Sequence, residues 1–256
     1  MADSETDVTM EVPVSSDPAL PEDAVYRPER APVDIGRREA IVGGVMLALT
    51  AVTALYFWWR PGEIFLDRWG FSLVHPALGN SGWRRITDLR SVSFLVAGSI
   101  LAALVVVGRD RWRALVCLVT PTVAVLVTEY VLKPVVARRY AEVLSFPSGT
   151  TTVVGSVAMA WVIAVPRRIR LFVIVIAAFV VGLELMAVVA LQWHFPTDAL
   201  GGVIFGAGLV LFVDGLVHLA VAADRRRRGV PTGDPEAATP VASTGPVEST
   251  APAAPV

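Results

Sequence analysis

The sequence predicts an all-α polytopic membrane protein, with six transmembrane helices in a bundle, short helices on the outer surface and disordered tails at both ends. Three observations carry that prediction. Hydrophobic residues make up 54% of the 256 and the mean hydropathy is +0.61, more apolar than an ordinary soluble domain of this size. The apolar residues gather into six runs, near 40–59, 92–107, 114–132, 151–165, 171–191 and 199–222, where about 20 residues cross a bilayer core. Arginine-rich knots separate the runs, which argues against six buried helices of a large soluble protein.

Residues 1–38 carry nine acidic residues and four Arg among Pro and Ser. That composition, without a sustained apolar period, reads as a disordered acidic tail. Arg37-Arg38 precede a run long enough to span and without a clear small-residue cleavage pattern, so a retained first helix is expected. Phe57, Trp58 and Trp59 close that run as an interfacial aromatic cluster does. The membrane domain covers 39–223, and the stretch 224–256, rich in Pro, Ala and Thr, reads as a second disordered tail.

Orientation follows from the basic residues between spans. With the N-terminus inside, 14 of the 22 Lys and Arg fall on the cytoplasmic side and 8 outside. Both termini are then cytoplasmic, and the junctions after the third span, before the fourth and before the sixth face outward. The net charge of -1 and the scattered, membrane-flanking placement of the bases leave no nucleic-acid footprint. Cys117, the single cysteine, excludes an intramolecular disulfide and a thiolate cluster, and its apolar context suits a small core residue.

The segment 60–90 is punctuated by Pro61, Gly62, Gly70, Pro76, Gly79 and Gly82. Short helices lying on the outer surface are expected there, with His75 a surface or interfacial residue. Two polar clusters stand out from the apolar background: KPVVARRYAEVLSFPSGTTT from Lys133, and LQWHFPTDALGG, which holds His194 and Asp198.

Each cluster has a bland and a chemical reading. Pro147-Ser148-Gly149 before an apolar run marks a helix start, where Ser148 can cap and the free N–H groups attract an anion such as phosphate. His194 lies four residues before Asp198 with Pro196 between them. A carboxylate on one ring nitrogen fixes the tautomer and frees the other to attack phosphorus, whereas an interfacial His beside a capping Asp does no chemistry. No second His or Cys stands at ligand spacing, so neither a metal nor another cofactor is expected. Lys133 follows Glu129 by four residues, which allows an intrahelical pair, and a Lys at a span's end also snorkels. It is the only Lys beside 21 Arg, which favours a use for a compact point charge.

Together K-P-V-V-A-R-R, F-P-S-G-T-T-T and H-F-P-T-D-A-L-G-G, in this order and on these spans, resemble the three signature motifs of the type 2 phosphatidic acid phosphatase superfamily, which also includes the vanadium haloperoxidases. The resemblance covers about 40–222 and fits the family's membrane branch. It implies a phosphorylated lipid as substrate or ligand. It also implies that Lys133, Ser148 and the Gly149 N–H hold phosphate oxygens, that His194 is the nucleophile forming a phosphohistidine, and that Asp198 orients it.

Three positions depart from the family pattern. Where it has Arg seven residues after its Lys, this chain has Tyr140, so Arg138 or Arg139 would have to serve the phosphate. Its motif-two His, the general acid, is Thr150. Its Ser-Arg pair is Ala187-Val188, with Gln192 as a weaker donor nearby. A missing general acid costs about 10²- to 10⁴-fold, and a lost transition-state donor about 3 kcal/mol more. Turnover would therefore need a good leaving group, as in a lipid diphosphate. The runner-up is a catalytically impaired relative that binds a phosphorylated lipid or a partner without hydrolysis. A small transporter is disfavoured because no paired inverted repeat is visible.

Two further acids are singled out. Glu184 lies inside the fifth run, where an ionisable group is costly, and is expected to stay protonated, bond across helices or donate a proton to the site. Asp214 and His218, four apart, suit a local pair at the inner end of the sixth span. Oligomeric state leaves no trace in the sequence.

Overall fold

The computed structural model describes residues 32–74 and 80–228. Nine helices order these residues: α1 (Pro32–Trp59), α2 (Phe65–Leu73), α3 (Asn80–Ile86), α4 (Val92–Val107), α5 (Arg111–Val127), α6 (Lys133–Val136), α7 (Gly149–Ala164), α8 (Arg167–Ala190) and α9 (Pro196–Arg227). A 3₁₀ turn, Thr87–Arg90, joins α3 to α4, and a π turn, Thr128–Leu132, joins α5 to α6. The antiparallel pair β1 (Arg139–Tyr140) and β2 (Val143–Leu144) precedes α7.

All six apolar runs are helical, but not all are full spans. Among the described residues, four helical segments are long and apolar enough to cross a membrane: Asp34–Trp59, Arg111–Val136, Arg167–Ala190 and Pro196–Arg227. The segment Val92–Val107 reaches that length only together with Ser81–Arg90, from which it is bent by 50°. Helix α7 has 16 residues, about 24 Å at 1.5 Å per residue, against a hydrocarbon core of about 30 Å. The reason lies in its ends: Pro147 and Ser148 start it late and Pro166 follows closely.

Two boundaries also move. Helix α1 begins at Pro32, inside the stretch expected to be a tail, because a proline with Asp34 in the first turn is a favourable helix start. Helix α9 runs to Arg227, four residues past the expected end, with Arg225, Arg226 and Arg227 in its last turn. Residues 1–31, His75 and the stretch 229–256 lie outside the described residues.

Helix α9 is the axis of the bundle, with α1 on one side and α7 on the other. Small residues set these approaches: a Cβ on Gly43 would overlap the α9 backbone at Phe212, and a Cβ on Gly202 would overlap the Ser148 carbonyl. The exterior is apolar, with Val45, Val52 and Leu55 of α1 and Leu171, Phe172 and Phe179 of α8 exposed. Inside, the α7–α9 seam buries Ser148, Thr151, Thr152 and Ser156, each hydroxyl but that of Ser148 bonded to a carbonyl. Cys117 is a small core residue, its thiol 3.5 Å from the Ala160 carbonyl. An apolar exterior over a polar seam is the inverse of a water-soluble bundle.

Candidate active site

Three chain junctions meet at one end of the bundle. The Ser148 N–H donates to the Asp198 carbonyl at 3.0 Å, and the Thr151 hydroxyl donates to the Ala199 carbonyl at 2.7 Å, which locks the start of α7 onto the start of α9. Lys133 joins them from α6: its Nζ lies 3.6 Å from where a Cβ on Gly149 would stand. Pro196 occupies the first turn of α9, with His194 in the short loop before it.

Ser148 precedes the first turn of α7 but does not cap it with its side chain. Its hydroxyl is fully buried and has no hydrogen-bond partner. The expected capping bond is therefore absent. His194, 9% exposed, buries an unpartnered Nδ1. Its pKa is pushed down to about 4, chiefly by burial and then by the Lys133 ammonium, against the opposing Ser145 backbone. The imidazole is thus neutral at physiological pH, as a nitrogen nucleophile must be.

Asp198 is turned to another partner than the expected one. Its Oδ1 accepts from Arg138 Nη1 at 2.5 Å, while its Oδ2 is buried and unpartnered. Arg138, expected among the phosphate ligands, is fully buried and has every N–H engaged. Nε donates to the Pro61 carbonyl, Nη1 to Thr197 Oγ1 and Asp198, and Nη2 to the Gly62 carbonyl and Asp67 Oδ2. The rings of Phe57 and Phe195 close over it, 3.6 and 4.2 Å from the guanidinium carbon. A guanidinium has five N–H donors, and none is left for phosphate. Arg138 ties the loop after α1 to α2 and to the start of α9.

Arg139 points outward and donates to the Glu142 carbonyl at 3.4 Å. Tyr140 packs edge-on against Phe195 at 4.6 Å between ring centres, and burial raises its phenol pKa further. Thr150 is half-buried and Gln192 exposed. Val188 is fully buried in apolar contact, so neither of the two departures nearest His194 in sequence offers a charge. Glu184 is also fully buried, and neither of its carboxyl oxygens has a partner.

Asp67 is the residue that the sequence did not announce. It is the buried residue of α2, and its Oδ1 accepts both the backbone N–H and the hydroxyl of Thr197, at 3.0 and 2.6 Å. Helix α2 is thereby latched to the start of α9. The available signal was an acid inside FLDRWGF, whose apolar residues Phe65, Leu66 and Trp69 are exposed. Arg90 is a second: its guanidinium stacks 4.8 Å over Trp193, the neighbour of His194.

Neither a protein-family model nor a curated protein matches this chain. Among solved structures, the chain is similar to the crystal structure of a transmembrane PAP2-type phosphatidylglycerolphosphate phosphatase from Bacillus subtilis. The two are 22% identical over 73% of this chain and 96% of that one, with a TM-score of 0.47.

Proposed function

We propose that the chain is an integral membrane phosphatase acting on a phosphorylated lipid, with His194 as nucleophile and Lys133, Ser148 and the Gly149 N–H as the phosphate seat. One observation carries this reading: Ser148 Oγ and His194 Nδ1 are buried without partners beside an ammonium and the start of a 16-residue helix. Buried polar groups without partners cost about 1–3 kcal/mol each, a cost that a bound phosphate would offset here.

In the proposed reaction, His194 Nε2 attacks phosphorus, the bond to the lipid-side oxygen breaks, and the lipid leaves with the bonding electron pair. Nδ1 and Asp198 Oδ2 are the two orphan atoms whose pairing would steady the imidazole. Water then attacks the phosphohistidine, releasing phosphate and restoring neutral His194. Thr150 cannot protonate a leaving group near neutral pH, so a lipid diphosphate, whose leaving phosphate needs no proton, is preferred to a monoester. Two apolar grooves near the outer end of α9 suit lipid tails. One of about 320 Å³ includes Leu185, Met186 and Pro196, and one of about 360 Å³ includes Leu49, Ile64 and Leu200. Counted over six spans, the charge asymmetry supports a site on the outer face of the membrane and two cytoplasmic termini.

The engaged Arg138, Thr150 and Val188 favour a second reading, a relative that binds a phosphorylated lipid without cleaving it. Phosphate release from a panel of lipid mono- and diphosphates separates the two. Release from diphosphates, lost to background in His194→Ala and raised about 10²-fold or more on monoesters in Thr150→His, is expected. Unchanged release in His194→Ala removes the nucleophile from the scheme, and release seen only in Thr150→His supports the binding-only relative.

A further inference from the structure

Glu129 belongs to none of the motifs, yet its carboxylate sits in the middle of the site. Both oxygens accept from Lys133 Nζ, at 2.7 and 2.8 Å. A Cβ on Gly149 would overlap Glu129 Oε1, so the carboxylate rests on the first residue of α7. The first-turn N–H groups of a helix have no intrahelical acceptor and favour negative charge. The chain around Glu129 is a π turn, Thr128–Leu132, an irregularity that often marks functional positions in otherwise regular helices. A second, independent sign of a ligand lies at the same helix end, in the unpartnered and buried Ser148 Oγ and His194 Nδ1.

We propose that Glu129 is the resident anion of this site, a specificity-determining residue whose carboxylate occupies the phosphate seat on Lys133 and Gly149 and must be displaced by a phosphate ligand. The inference rests on the phosphate-site reading above. A carboxylate on an ammonium at a helix start has the charge sign and the paired oxygens of a phosphate edge, so one seat serves two anions. Of the ion pair, Glu129 is the mobile member: its side chain is 40% exposed and that of Lys133 13%, so the acid has solvent to swing into while the ammonium stays. Displaced, Glu129 remains on the rim and repels further negative charge. Soluble phosphate, held by the seat alone, meets that repulsion in full, whereas a lipid phosphate is also anchored by its tails. Glu129 thus selects membrane-borne phosphate and favours expulsion of the inorganic product.

The test is binding of inorganic orthophosphate to the detergent-solubilised full chain, followed by calorimetry or by ³¹P line broadening. Glu129→Gln and Glu129→Ala are expected to bind orthophosphate about tenfold more tightly than wild type, as removal of a neighbouring like charge predicts, and Lys133→Ala to lose it. Where the substrate is turned over, orthophosphate becomes a correspondingly stronger product inhibitor in Glu129→Gln. A merely structural Glu129 would weaken binding, the opposite sign. Should both variants fail to fold, Glu129→Asp keeps the charge, draws it off Gly149 and must still bind more tightly than wild type. Equal or weaker binding in the variants that fold overturns the inference and leaves the phosphate site standing. No orthophosphate binding by wild type or any Glu129 variant, together with none of a lipid phosphate, overturns the site reading and the inference with it.

Discussion

The bundle holds two buried polar clusters, and they are built on opposite principles. At the end away from His194, Arg113 donates from Nε and Nη2 to both oxygens of Asp214 and from Nη2 to Glu39, at 2.6–3.2 Å. His218 bonds the Asp214 carbonyl at 2.7 Å and Asp110 at 2.8 Å, and Asp110 caps α5 through the N–H groups of Trp112 and Arg113. The expected Asp214–His218 pair is there, inside a larger net that ties α1, α5 and α9. The acceptor atoms of Glu39, Asp214 and His218 lie within 4.8 Å of one another, a spacing a metal ion could use, but the Arg113 guanidinium already supplies the cation. At the other end Ser148, His194 and Asp198 each bury an atom without a partner. The first cluster ties helices together through paired charges, whereas the second leaves buried polar atoms unpaired. Arg138 and Asp67, though next to the site, belong by their bonding to the paired kind.

That contrast is broken most sharply by one substitution at each end. Arg113→Ala leaves Asp214 buried and uncompensated, and a loss of about 3–5 kcal/mol of stability is expected. Ser148→Ala removes a hydroxyl that has no bond to lose, so thermal unfolding should move by little, while phosphate release falls by about 10²-fold, the cost of one transition-state donor. If Ser148→Ala instead lowers stability as Arg113→Ala does, the two clusters are of one kind. Arg138→Ala should behave like Arg113→Ala, because it strands Asp67 and Asp198 together.

A smaller effect distinguishes the ends by pH. His194 titrates at about 4 in the folded chain against an ordinary 6.5. Between these values the unfolded chain binds a proton that the folded chain does not. Stability is therefore complete above about 6.5 and is lost as pH falls toward 4. The acid limb of kcat/KM for phosphate release, which reports the free enzyme, should fall near pH 4 rather than 6.5. His194→Ala should flatten the stability slope across that window. A limb at 6.5 would mean that His194 is hydrated and its imidazole unshielded.

The helices were legible because a bilayer-length apolar run needs no partner to be recognised. Lys133, Ser148, Gly149 and His194 were legible because polar residues at the ends of such runs are conspicuous. The bonding between them was not. Arg138 and Arg139 are adjacent and chemically identical, and only the fold sends one into a cage with Asp67, 71 residues away, and the other outward. Asp198 has the right spacing to serve His194, yet the Arg138 guanidinium from a remote segment claims its Oδ1. Glu129 and Lys133 four apart read as an ordinary intrahelical pair, and nothing local says that the π turn brings the carboxylate onto Gly149. Short-range pattern yields elements and their ends; the competition among long-range partners decides which charge a ligand meets.

The smallest predicted effect concerns the hairpin that carries Arg139 and Tyr140, whose two turn residues are both strained. Ala141 and Glu142 have φ of 43° and 69°, and they link strands paired Arg139↔Leu144 and Tyr140↔Val143. A two-residue hairpin of this hand needs positive φ at both central positions, where Asn-Gly or Asp-Gly is preferred. An L-residue there costs about 1–2 kcal/mol, and glycine gives back about 0.5–1 kcal/mol through the greater freedom of the unfolded chain. Relief of strain outweighs that entropy, so Glu142→Gly is expected to stabilise the chain by a few tenths to about 1 kcal/mol. Its side chain is exposed, and the bond from Arg139 goes to its carbonyl, which glycine keeps. The melting temperature should rise slightly with phosphate release unchanged. A fall in release on this substitution would show that the turn's rigidity is transmitted through Tyr140 and Phe195 to His194, and would draw the hairpin into the site.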